Sequence, residues 1–161
     1  MAACILGGAI YALAAGGASG QQYELPPPPP QPPSTEPLPK LTPFPKVRIR
    51  GIATRRGARI DSLTVRARVG LVIVSRCTGK PKRCPYKKRV HQVKGEEGTT
   101  RRVRIPRFER AFRAGVKLRL FVVAPGRTGK FTSFGIRRRK IPRRYDRCVR
   151  GLVLTPISCP K

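Results

Sequence analysis

Acidic residues are scarce in this chain. Seven Asp and Glu stand against 36 Lys and Arg, a formal net charge of +29 over 161 residues, and there is no Trp, one His and one Met. Each shortage excludes something. Beyond residue 40 the only acids are Asp61, Glu96, Glu97, Glu109 and Asp146, so paired carboxylates for general acid–base work have almost nothing to be built from. The single imidazole, His91, lies among Lys87, Lys88, Arg89 and Lys94. A Ser/His/Asp arrangement would need Asp61 or Asp146 beside it, and no GxSxG turn presents a nucleophile. GRTGKF at 126–131 has neither the GxxxxGK[ST] spacing nor a following helix to cradle phosphate. The chain therefore reads as non-enzymatic, without a cofactor, metal or small-molecule substrate.

What is present in abundance is positive charge. All 36 cations lie in residues 40–161 with five acids, a net +31. A domain so charged repels itself and seeks polyanions: wall polymer, acidic polysaccharide, lipid headgroups or nucleic acid. Arg outnumbers Lys 25 to 11. Codon bias in a GC-rich genome would raise Arg with Ala, Gly and Pro, so a structural domain with no specific ligand stays open beside the binding reading.

Of five cysteines, Cys4 sits in an apolar leader and Cys77, Cys84, Cys148 and Cys159 remain as an even four. The local pairings, Cys77 with Cys84 and Cys148 with Cys159, close the shortest rings. Disulfides imply an oxidising compartment. Structural zinc, the competing account, prefers cysteines two to four residues apart, and these spacings do not fit.

Residues 1–20 are uncharged and rich in Ala and Gly, as in a signal peptide or a membrane anchor. No positive charge other than the terminal amine precedes the apolar stretch. Residues 21–45 form a proline-rich disordered linker; half of 24–45 is proline, which locks φ and denies the chain helix and ladder alike. Residues 46–140 are expected to form a β-sandwich and 141–161 a disulfide-closed tail. The localisation these features imply is secreted or cell envelope, with N-terminal anchoring open.

Within 46–140 short alternating segments recur at the spacing of an all-β antiparallel sandwich of about seven strands. Val47 and Ile49 alternate with Arg48 and Arg50; Leu63, Val65 and Ala67 with Thr64, Arg66 and Arg68; Val103 and Ile105 with Arg102 and Arg104. The run at 71–74 is aliphatic on both parities and predicts a central strand covered on both faces. FERAFRAG at 108–115 is the one helix-like patch, with Phe108 and Phe112 at i, i+4.

GARIDSLTVRA, the CTGKPKRCP loop and the stretch from RFERAF to YDRC resemble a basic, disulfide-containing immunoglobulin-like module of exported proteins from high-GC Gram-positive bacteria. The resemblance covers about residues 46–159. It implies export and an immunoglobulin-like fold, and carries no binding site. The order His91, Cys148, Arg150 resembles that of a sortase-like transpeptidase, but the threonine-rich run before the cysteine is missing.

The functional expectation is an envelope module that binds anionic polymer through the outward arginines Arg48, Arg50, Arg66, Arg68, Arg102 and Arg104. Nucleic acid is the alternative partner, with bases stacking on Tyr86, Phe108 or Phe112; the oligomeric state is unspecified.

Overall fold

Alternation of small or branched apolar residues with arginine runs through Lys46–Thr54 (β1) and Gly57–Arg68 (β2), and side chains two apart share a face of a strand. The computed structural model describes residues 38–80 and 83–160; the leader and the linker up to residue 37 lie outside the described residues. β1 pairs antiparallel with β2, and β2 with Thr100–Arg104 (β5) and with the three-residue strand Ala111–Arg113 (β6). The second sheet contains Val72–Thr78 (β3), Lys88–Gln92 (β4), Lys117–Val123 (β7), Thr128–Arg137 (β8), Lys140–Arg150 (β9) and Pro156–Ile157 (β10), in the order β10-β9-β8-β7-β3-β4. Among the described residues every pairing between these ten strands is antiparallel.

The sheets pack as a sandwich. Val47, Ile60, Leu63 and Val65 of the first sheet meet Ile73, Leu118, Leu120, Val122, Phe134 and Ile136 of the second in one buried cluster. The first sheet runs β1-β2-β5 with β6 beside β2, and it faces the β4-β3-β7-β8 part of the second. Three additions, β6, β9 and β10, bring the seven expected strands to ten.

The aliphatic run at 71–74 is covered on both faces as expected. Ile73 lies in the main cluster and Val74 in a second one with Phe121, Val123, Phe131 and Val149. Its strand, β3, is not central but next to the edge strand β4; β7 and β8 hold the middle. The second cluster lies on the outer face of its sheet, where Leu154 of the C-terminal tail packs against it.

Three expectations are corrected. FERAFRAG forms no α-helical turn: its first residue, Phe108, closes a 3-10 turn at Pro106–Phe108, and its residues Ala111–Arg113 are β6, pairing with β2. Phe108 and Phe112 are both buried and meet edge to face at 6.1 Å, so the i, i+4 spacing reports a turn followed by a strand. The tail begins later than residue 141, because 140–150 are β9, bound along β8. Finally, the last residues of the expected linker are folded. Leu41 is buried, its N–H donates to the Thr128 carbonyl (3.1 Å), and the Thr128 N–H donates to the Pro39 carbonyl (2.9 Å). Proline has no N–H but keeps its acceptor, and Thr128 also donates its hydroxyl to the Leu38 carbonyl at 2.8 Å.

β9 carries little apolar pattern and is held by polar groups. Thr132, fully buried, donates its hydroxyl to Asp146 (2.7 Å). Asp146 also takes Arg144 Nε (2.6 Å) and lies 3.6 Å from Lys130, and Arg144 reaches across to the Val47 carbonyl (3.0 Å), tying one sheet to the other. Burial raises the Asp146 pKa, but the bonds from Arg144 and Thr132 and the nearby charges outweigh it and hold the carboxyl below its usual value.

Candidate functional site: an arginine-covered sheet face

The inward parity of β1 and β2 is spent on the core, so their other parity faces solvent, and the register decides what lies there. Lys46 is opposite Arg66, and Arg66 opposite Arg102; Arg48 is opposite Thr64, and Thr64 opposite Arg104; Arg50 is opposite Ser62, and Arg68 opposite Thr100. All six arginines expected to share an outward role therefore occupy one face of the β1-β2-β5 sheet, joined by Lys46. Neighbouring strands are about 4.8 Å apart and alternate residues about 6.8 Å, so these seven cations cover a field on the order of 10 Å by 20 Å.

Arg104 differs from the rest. Its Nε lies 2.7 Å from each Glu109 carboxylate oxygen and a terminal nitrogen 2.6 Å from Oε2, and Glu109 also accepts the Leu63 N–H at 3.3 Å. The bond from Arg104 holds the Glu109 carboxyl below its usual pKa against the opposing effect of burial. Arg104 is thus occupied in fastening the 3-10 turn to β2, and its charge is largely neutralised. Lys46, Arg48, Arg50, Arg66, Arg68 and Arg102 form no side-chain hydrogen bond or ion pair among the described residues. Asp61, at the far end of β2, is taken by Arg59 at 3.3 Å.

Both expected disulfides are present. Cys77–Cys84 spans 5.7 Å between Cα atoms and closes the loop after β3; Cys148–Cys159 spans 4.9 Å and clasps the tail to β9. With their sulfurs bonded to each other, these cysteines are not zinc thiolates.

Two of the three aromatic residues considered as base-stacking platforms are withdrawn into the core. Phe108 and Phe112 are buried, and the half-buried Tyr86 stacks on Phe108 at 5.0 Å and 13°.

His91 has a serine partner that the sequence did not reveal. Register sets Ser75 and His91 on adjacent strands. The Ser75 oxygen, fully buried, lies 2.8 Å from the Tyr86 hydroxyl, 3.3 Å from His91 Nε2 and 3.3 Å from the Arg89 carbonyl. One assignment satisfies all three: serine donates to the carbonyl and accepts from tyrosine and histidine. Burial and then the Arg89 charge lower the His91 pKa, while burial raises that of Tyr86. No carboxylate bonds His91 among the described residues; the three contacts satisfy the buried Ser75 hydroxyl.

No protein-family model, no curated protein and no solved structure matches this chain.

Proposed function

We propose that this domain is a non-enzymatic module of the cell envelope that holds an anionic polymer against the β1-β2-β5 face. The observation that carries the reading is the gathering of six unpaired cations on one sheet face, where an ordinary surface intersperses both signs. Guanidinium groups suit the task because their planar fork takes carboxylate or phosphate oxygens two at a time. An extended face of this kind reads charge density, so affinity follows the number of cations engaged and ignores the order of units along the polymer. Export to an oxidising compartment fits the two disulfides and the apolar leader, and agrees with the resemblance to modules of exported proteins.

The test is the salt dependence of binding to polyglutamate, polyphosphate and single-stranded DNA. Replacing Arg66 and Arg68 with Gln should flatten the slope of log affinity against log salt by about 1.4 for single-stranded DNA and by a similar amount for the other polymers. The melting temperature should hardly change, because exposed charges contribute little to stability. A slope unchanged by this pair would overturn the reading; a strong preference for DNA over both other polymers would replace it with nucleic-acid binding.

A further inference from the structure

At the end of the sandwich where the β1–β2 and β8–β9 turns meet, five arginines from four separate segments line one concavity. Arg55 and Arg56 form the β1–β2 turn, Arg113 ends β6, Arg138 lies in the β8–β9 turn and Arg83 belongs to the Cys77–Cys84 ring; with Ala114 they line an open concavity of about 380 Å³. That is within the range of small-molecule sites, about 300–1,000 Å³.

The cup is built on fixed backbone. The Ala114 N–H donates to the Arg56 carbonyl at 2.8 Å, the Arg139 N–H to the Thr54 carbonyl at 2.9 Å, and Arg83 Nη1 to the Ala114 carbonyl at 3.2 Å. Gly57 approaches β6 so closely that a Cβ there would overlap the Phe112 carbonyl oxygen. Arg83 is held from its other side by the disulfide next to it at Cys84. Three turns and a ring are thus locked to one another, and what they present is of one sign.

No carboxylate lines the cup. The side chains of Arg55, Arg56, Arg113 and Arg138 make no hydrogen bond or ion pair among the described residues. Like charges held together in a concavity raise one another's energy, and an anion entering it relieves that repulsion. Five planar forks around a small volume can surround several oxyanion groups at once. The flat arginine face cannot, because its cations lie in one plane.

We propose that this cup is a discrete site for clustered phosphate or sulfate groups, independent of the sheet face. Its ligand is compact and multiply charged: a short run of linked phosphates, or a saccharide unit bearing several sulfates.

The experiment is calorimetric titration of the full domain, disulfides intact, with tripolyphosphate and with sucrose octasulfate at near-physiological salt. Saturable binding of one equivalent is expected, and the tighter probe identifies phosphate or sulfate as the source. Arg56→Gln with Arg113→Gln should weaken it about tenfold for each guanidinium lost. Arg56→Lys with Arg113→Lys should recover only part, since charge returns without the fork. Arg66→Gln with Arg68→Gln should leave it unchanged, which separates the cup from the sheet face. Absence of saturable binding of either probe, or equal loss in the two Gln pairs, would overturn the proposal.

Discussion

Arg66 of β2 and Arg102 of β5 are direct register partners, two like charges opposite one another on a solvent-facing sheet surface. Such pairs are destabilising where opposite charges would stabilise. The fold tolerates this cost at a position where nothing in the core requires arginine.

Exchanging one sign should therefore separate stability from binding. Arg102→Glu is expected to raise the melting temperature slightly, equivalent to a few tenths of a kcal/mol up to about 1 kcal/mol, and to weaken polyphosphate binding at low salt. Thermal melts and a binding isotherm on the same sample check both. A variant less stable than the parent would show that the arginine pair has a structural role.

Stability should also respond to pH through His91. An unfolded imidazole titrates near 6.5, and burial followed by the Arg89 charge lowers the folded value. Between those two values the unfolded chain binds a proton that the native chain refuses, so stability falls as pH drops from about 6.5 towards the folded pKa. His91→Gln keeps a donor for Ser75 and removes the titration. Its melting temperature should stay flat below about pH 6.5, where the parent declines. A second acid limb, below about pH 4, belongs to Asp146 and Glu109: their contributions are present above the unfolded carboxylate values and are lost as pH falls through the lowered folded ones.

The disulfides should fail differently. Cys77 and Cys84 pack in the main core, and removing that bridge with a double Ser substitution should cost roughly 2–3 kcal/mol of global stability. Cys159→Ser should free the chain after β9 and leave the sandwich folded, seen as fast amide exchange confined to 151–160. Loss of protection throughout β7 and β8 in the Cys159 variant would contradict that division.

Phe108 is fully buried between Tyr86 and Phe112. Phe108→Ala should cost about 3–5 kcal/mol in chemical denaturation, and Phe108→Leu distinctly less. Equal costs would mean that the ring contacts with Tyr86 and Phe112 carry the loss and that the volume Leu restores counts for little.

What the sequence disclosed follows from the range over which each signal acts. Strand parity is local, so the alternation of Val47, Ile49, Leu63 and Val65 with arginine marked β1 and β2 and put six arginines outward. Local ring closure also identified both disulfides. β9 was missed because its inward positions include Arg144 and Asp146, whose polar bonds, Arg144 to the Val47 carbonyl of the other sheet and Asp146 to Arg144 and Thr132, replace an apolar stripe. The 3-10 turn and β6 were missed because two phenylalanines four apart satisfy a helical period as well as a turn and a strand. Ser75 and His91 meet only through the β3–β4 register. The cup draws on residues 55, 56, 83, 113 and 138, and no local pattern joins positions so far apart. The folded end of the proline-rich stretch was hidden by its composition, since its anchors are Leu41 and Thr128.

Leu38 and Leu41 attach to Thr128, the first residue of β8, whereas Arg138 of the cup follows the last. A ten-residue strand is about 30 Å long. The polypeptide arriving from the N-terminal side thus joins the domain at one end of β8, and the arginine cup opens at the other. A molecule held in the cup would therefore lie about one strand length from the contacts that residues 38–41 make with Thr128, and neither would obstruct the other.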